Sequence, residues 1–229
     1  MTGRLVDLSH PIESGMAGYP GLPAPRIEPH LSHEASRPAY GGEAEFEITR
    51  LFLVGNTGTY LDSPYHRHRG GADAAGLPLE WIAGLRGVCI DATPAAGHRE
   101  IDPALELPAA IDGAAVLLRT GWDRRWGTGA YWQPGPFVGE ALAVRLITAG
   151  ARLVGVDCWN VDDTGDPRRP AHTALLGAGI PIVEHLRGLG ALPRTGFRFT
   201  AVPAPIRRAA SLPVRAFAEL DTDDASGPG

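Results

Sequence analysis

Residues 55–71 read Gly-Asn-Thr-Gly-Thr-Tyr-Leu-Asp-Ser-Pro-Tyr-His-Arg-His-Arg-Gly-Gly. An apolar, β-rich run over 46–54 leads into them; it alternates at Phe46 and Ile48, then turns continuously apolar, as a strand entering a core does. The polar residues after Val54 read as a loop. Gly55 and Gly58 relax the backbone, and Asp62, His66 and His68 then fall close together beside Tyr60. A carboxylate and imidazoles after a strand suit a metal site or acid–base chemistry. The plainer reading is a turn capped by Asp62 with surface histidines, and the residue types alone leave the two level.

A second polar concentration lies over residues 154–186. Asp157 closes a strand, Asp162, Asp163 and Asp166 come next, His172 precedes a short apolar helix, and Glu184 lies just after another strand. The Asp162–Asp163–Asp166 cluster reads as a solvated loop. His172 and Glu184 fit a structural role as well as a ligand role on spacing alone.

Outward from these segments, short strands are expected at 5–8, 88–91, 115–119, 153–156, 180–183, 197–202 and 214–218. A helix is expected at 138–149, where Val138, Ala141, Leu142, Leu146 and Ala149 keep helical spacing and Gly150 supplies the stop. A shorter helix should begin near His172 and end at 177–179. The 30 glycines and 21 prolines punctuate these runs and form no block of their own. The pattern gives an α/β or α+β class: one domain over 1–220, and a disordered acidic tail over 221–229.

With 21 Lys and Arg against 26 Asp and Glu, the net charge of −5 and the scattered arginines give no surface for nucleic acid. No run reaches the ~18 apolar residues of a membrane span, and residues 1–10 hold no signal-peptide core. Cys89 and Cys158 sit in apolar runs as small buried hydrophobes. These features point to a cytoplasmic protein acting on a small molecule. Trp122, Trp126, Tyr131 and Trp132 crowd a Gly-rich loop, where Trp122 and Trp132 suit an aryl substrate or, equally, a packed loop. His30, His33 and His98 stand in no motif and read as surface residues.

Residues 56–66 resemble the motif H-x-G-T-H-x-D-x-P-x-H of the cyclase family, which includes bacterial kynurenine formamidases and isatin hydrolases. Gly58, Thr59, Asp62, Pro64 and His66 match in place, while Asn56 and Tyr60 stand where the family has histidines. Further matches occur in order along the chain: Val6-Asp7-Leu8-Ser9, Leu118-Arg119-Thr120-Gly121-Trp122-Asp123, Val154-Gly155-Val156-Asp157, His172, and Ile182-Val183-Glu184-His185. The resemblance implies a swivelling β/β/α fold assembled as a homodimer or homotetramer. It implies a divalent ion, zinc or manganese, that activates water against an amide or lactam. Asp62, His172 and Glu184 match family ligands and His66 matches the acid–base histidine. Arg215 is expected to pair with a carboxylate in the core.

An Asn amide and a neutral phenol are poorer zinc ligands than imidazole, so two ions are not expected. One ion on Asp62, His172 and Glu184, or none, remains open, and the oxygen-rich set favours Mn²⁺ or Mg²⁺ over a His-rich zinc site. Three activities are compatible with these residues: a metal-assisted hydrolase of a small amide, lactam or ester, with Asn56 and Tyr60 orienting the substrate; a metal-independent cyclase, dehydratase or isomerase using Tyr60 and His66; or a small-molecule binding protein. Kynurenine formamide is a weak substrate candidate, because both departures fall inside the motif.

Overall fold

The structure, a computed structural model, describes residues 3–221, so residues 222–229 of the expected acidic tail lie outside the described residues. In chain order the strands are β1 (Arg4–Asp7), β2 (Arg26–Leu31), β3 (Ile48–Phe52), β4 (Tyr60–Asp62), β5 (Leu85–Asp91), β6 (Ala115–Arg119), β7 (Leu153–Val156), β8 (Ile182–Glu184), β9 (Phe197–Thr200), β10 (Ser211–Pro213) and β11 (Phe217–Leu220). The helices are α1 (His33–Ser36), α2 (Glu140–Thr148) and α3 (Pro170–Gly177). Nine strands form one mixed sheet in the order β1-β11-β9-β5-β6-β7-β8-β4-β10, and β2 pairs with β3 in a separate ribbon. The architecture is α/β with a curled sheet.

The sheet centre explains itself from sequence. β5 to β8 run parallel, and β6 and β7 are apolar at nearly every position because both faces are covered. Alternation then divides the core. Val88, Ile90, Val116, Leu118, Val154 and Val156 point to the face packed by Leu142 and Leu146 of α2 and Leu175 and Leu176 of α3. Cys89, Leu117, Leu153 and Val183 point to the other face, against Leu61, Phe197 and Phe199. Both cysteines are free and buried.

Several expectations are corrected. The run over 46–54 does not enter the core: β3 is exposed along its whole length, paired only with β2. Its partner was hidden from pattern reading by Pro29 and the charged residues of Arg26–Leu31. The polar stretch after Gly55 is not all loop, since Tyr60–Asp62 is a fully buried strand between β8 and β10. Of the strand expected at 214–218 only Phe217 and Ala218 lie in one, at the start of Phe217–Leu220, and a separate short strand, Ser211–Pro213, ends just before the expected range. The short helix begins earlier, at Pro170, a residue suited to the first helical turn. Arg215 does pair with a carboxylate, donating to Asp7 at 2.9 and 2.8 Å, but at the surface and not in the core. His30, His33 and His98 are exposed, as expected.

Candidate active site

The site is built from cross-strand neighbours. In the β4–β8 ladder Tyr60 faces Glu184 and Asp62 faces Ile182, while the β4–β10 ladder sets Ser211 beside Asp62. Strand alternation puts Tyr60 and Asp62 on one face and sends Leu61 into the core behind. Directly opposed residues have side chains within reach of each other, so register alone brings Tyr60 to Glu184 and Ser211 to Asp62. The Tyr60 hydroxyl donates to Glu184 Oε2 and the Ser211 hydroxyl to Asp62 Oδ1.

α3 supplies the imidazole. Asp162 caps this helix from eight residues before its start, accepting from the Ala171 amide at 2.7 Å and the His172 amide at 3.1 Å. The same carboxylate lies 2.6 Å from His172 Nδ1. With Nδ1–H committed there, Nε2 turns to the carboxylates, 3.5 Å from Asp62 Oδ2 and 3.7 Å from Glu184 Oε1. His66 comes after β4 on a single 3₁₀ turn, Pro64–His66; its Nδ1 is 3.0 Å from Ser211 Oγ and 3.5 Å from Asp62 Oδ1.

Asp62 and Glu184 are both fully buried. Two carboxylates in so dry a place need a cation. Burial pushes Asp62 upward, but contact with His172, the charges of His66 and His172 and the Ser211 bond outweigh it and hold the group below its usual range. Burial holds Glu184 above its ordinary value despite the charge of His172, with Asp62 adding repulsion. His172 moves the other way: burial opposes its charge, yet Asp162, Asp62 and Glu184 raise it to about 10. Burial pushes His66 down, and the attraction of Asp62 does not offset it, so this imidazole is neutral near pH 7. Burial and the charges of Glu184 and Asp62 push the Tyr60 phenol well above its usual value, leaving it a neutral donor.

These residues fit a divalent ion. Asp62 Oδ2 is buried with no hydrogen-bond partner, and His172 Nε2 and Glu184 Oε1 are turned to the same place. Asp62, His66 and His172 each offer a ligand atom, all within 4.8 Å of one another. Tyr60 instead occupies the second oxygen of Glu184.

The site opens on a cavity of about 300 Å³ lined by Tyr60, His172, Glu184, Asn56, Asn160 and Tyr19. Trp122 and Trp132 do not line it. Trp122 donates Nε1–H to the Tyr131 carbonyl under the Arg125 guanidinium, and Trp132 stands edge-on to Tyr131 and Trp159. Tyr19, which packs on Trp159, lines the cavity together with Tyr60.

Sequence reasoning missed Asp162, Ser211 and Asn160. Asp162 reads as loop because a capping carboxylate eight residues before its helix has no local signature. Ser211 is a lone serine whose role depends wholly on strand pairing.

The sequence model of the Cyclase family matches residues 6–163. A kynurenine formamidase of Polaromonas naphthalenivorans is 29% identical over 94% of this chain and 90% of that protein. A kynurenine formamidase of Maricaulis maris is 32% identical over 77% and 82% respectively. Isatin hydrolase A from Labrenzia aggregata, solved with benzyl benzoate bound, superposes with a TM-score of 0.80 at 25% identity, covering 95% of this chain and 93% of that one. The family model covers more than half of the chain and a relative is 32% identical over 77% of it, so the chain belongs to the cyclase family.

Proposed function

We propose that this protein is a metal-assisted hydrolase of a C–N bond in a small amide or lactam, with esters as a chemically related class. The observation that carries the reading is the buried, unpartnered Oδ2 of Asp62 facing His172 Nε2 and Glu184. Asp62, His172 and Glu184 would hold one divalent ion, Mn²⁺ or Zn²⁺. Bound there, it would polarise a carbonyl and lower the pKa of water. The similarity to kynurenine formamidases and an isatin hydrolase supports the bond class.

The chain's own groups divide the remaining work. His66, neutral and the most open of the four at 33% side-chain exposure, takes a proton from the attacking water. The water oxygen bonds to the carbonyl carbon, the C–N bond breaks, and His66 returns the proton to the leaving nitrogen. Tyr60 holds Glu184 in place, and Asn56 at the wall offers an amide to orient the substrate. A homodimer or homotetramer in a reducing cytoplasm, which suits two free cysteines, belongs to the same reading.

The metal-independent alternative pairs Tyr60 with His66. It has less support, because the Tyr60 hydroxyl is committed to Glu184 and its pKa is raised.

The test is metal content by elemental mass spectrometry beside Asp62→Ala, then a screen of formamides, lactams and esters before and after chelation. About one equivalent of ion, lost in the variant, with chelator-sensitive hydrolysis, is expected. Turnover that survives complete removal of metal would overturn the proposal.

A further inference from the structure

His66 and His172 divide the proton-transfer and ligand roles of the proposed reaction, and their ring centroids lie 5.5 Å apart. They come from separate pieces of chain, His172 from α3 and His66 from the turn after β4. Asp162 fixes the His172 ring directly. His66 meets Ser211 Oγ at 3.0 Å and is partly open to solvent, so its direction also depends on where its loop sits.

That loop is closed on itself. The His66 amide donates to the Ser63 carbonyl at 2.8 Å, and the Arg67 and His68 amides donate to the Pro64 carbonyl at 3.2 and 2.9 Å. The Gly71 amide donates to the His68 carbonyl at 2.8 Å, and the Tyr65 amide to the Ala72 carbonyl at 3.0 Å, so the chain returns to its start. It returns so closely that a Cβ at Gly71 would lie 2.7 Å from the Pro64 carbonyl carbon. A segment bonded in this way moves as one piece, and a contact that fixes any part of it fixes the backbone of His66.

The piece docks on α3 through the two residues that follow His66. Arg67 donates Nε–H to Thr173 Oγ1 at 3.0 Å and an Nη2–H to the Arg168 carbonyl at 2.8 Å. His68 Nε2 lies 3.1 Å from the Thr173 carbonyl; a carbonyl only accepts, so this nitrogen carries the proton. Thr173 directly follows His172, and its hydroxyl donates onward to the Arg169 carbonyl at 2.7 Å, at the start of the helix. One turn further along, Gly177 leaves room for the ring: a Cβ there would lie 3.1 Å from His68 Nε2. The neighbours of one imidazole thus hold the neighbour of the other, and Thr173 serves both bonds, one through its hydroxyl and one through its carbonyl.

We infer that Thr173 is a positioning residue for His66: with Arg67 and His68 it forms a clamp that sets the proton-transfer imidazole against the helix carrying His172. Thr173 does not line the cavity, so it acts on the reaction through His66 and not through substrate. A misplacement of about 1 Å between a reacting group and its target costs on the order of 10²-fold in rate, which is the scale on which such a clamp matters. The role in turnover rests on the reading of His66 as the acid–base group of a metal-assisted hydrolase, while the clamp itself rests on the hydrogen bonds between the loop and α3.

Position and turnover are measured separately. Thr173 is exposed, so its replacement leaves the core intact; Thr173→Val removes the hydroxyl and keeps the shape, and Thr173→Ser keeps the hydroxyl. On the zinc-loaded protein, histidine-ring NMR, with the His66 signal assigned by its loss in His66→Ala, should show that signal shifted or broadened in Thr173→Val and restored in Thr173→Ser. The zinc Kd should stay unchanged, because Asp162 still orients His172. With a substrate from the formamide, lactam and ester screen, kcat of Thr173→Val should fall by about 10- to 100-fold with KM little changed, and Thr173→Ser should recover most of the loss. Added to His66→Ala, Thr173→Val should cost nothing further, since no imidazole is left to position. His68→Leu, which breaks the carbonyl side of the clamp, should repeat the pattern. An unmoved His66 signal, or a full further loss on top of His66→Ala, would overturn the inference. So would a zinc Kd weakened as much as kcat, which would make Thr173 a support of His172 instead. If the wild type turns over no compound in the screen, the hydrolase reading fails and the NMR comparison still decides the clamp.

Discussion

Asp162 Oδ2 lies 2.6 Å from His172 Nδ1, and His172 presents its other nitrogen, Nε2, to Asp62 and Glu184. A single carboxylate thus selects the imidazole tautomer and caps the helix that carries it. Asp162→Asn removes the charge and one acceptor. Metal affinity should fall by roughly 10- to 100-fold, the usual cost of losing such an orienting partner. Loss of satisfied buried amides should lower stability by about 1–3 kcal/mol. Metal titration and denaturant unfolding read the two effects independently. An unchanged metal Kd would show that His172 is oriented without Asp162.

His66 can be separated from the ligands by the same logic. It lies within reach of Asp62 and His172, so geometry admits it as a fourth ligand, yet its side chain is the one that solvent reaches. His66→Ala should retain the ion and lose about 10²- to 10⁴-fold in kcat, the usual worth of a positioned acid–base group. It should also abolish the acidic limb of the pH–rate profile. Loss of metal together with activity would make His66 a ligand and move the proton transfer elsewhere.

The central sheet was legible because β6 and β7 are buried on both faces, and double burial leaves continuous apolar runs. The site was legible in part through residues 56–66, where family likeness points to Asp62 and His66. It was not legible where pairing decides. Tyr60–Asp62 contains a carboxylate and sits in a polar stretch, so no apolar pattern marks it as a buried strand. Ser211 reaches Asp62 from 149 residues away through one register position. The exposed ribbon failed in the opposite direction: β3 has a core-like sequence, and composition carries no record of which face is covered.

Ser211 also depends on a glycine. A Cβ added at Gly55 would lie 2.1 Å from the Ser211 carbonyl oxygen, a backbone atom that cannot swing aside. Gly55→Ala must therefore shift β10 and carry Ser211 away from Asp62 and His66. Overpacking of this kind costs about 1–3 kcal/mol. Weaker metal binding should accompany the lower stability, whereas Ser211→Ala should weaken metal binding with a smaller stability loss. If Gly55→Ala destabilised the fold but left metal affinity unchanged, the link from β10 to the candidate centre would be broken.

His10 provides a pH-dependent test of packing outside the proposed ligand set. Its ring stacks on Trp126 with centroids 3.8 Å apart, and its buried Nε2 has no hydrogen-bond partner. Burial, with a contribution from Arg187, lowers its pKa to about 4. The unfolded chain therefore binds a proton at this residue more readily than the folded one. The stabilising contribution is complete above about pH 6.5 and is lost as pH falls toward 4. Asp157, pushed by burial to about 6, acts with the opposite sign over the same range, so the wild-type curve alone does not isolate His10. The comparison is with His10→Phe, which keeps an aromatic stack, loses no bond at Nε2 and cannot titrate. Relative to the wild type, the variant should gain on the order of 1 kcal/mol between pH 7.5 and 4.5, after discounting for partial solvent screening. In a chain of this size that is roughly 2–4 °C in Tm. Parallel Tm–pH curves for the two proteins would mean that His10 accepts a proton in the folded state as easily as in the unfolded one, and that its burial carries no electrostatic cost.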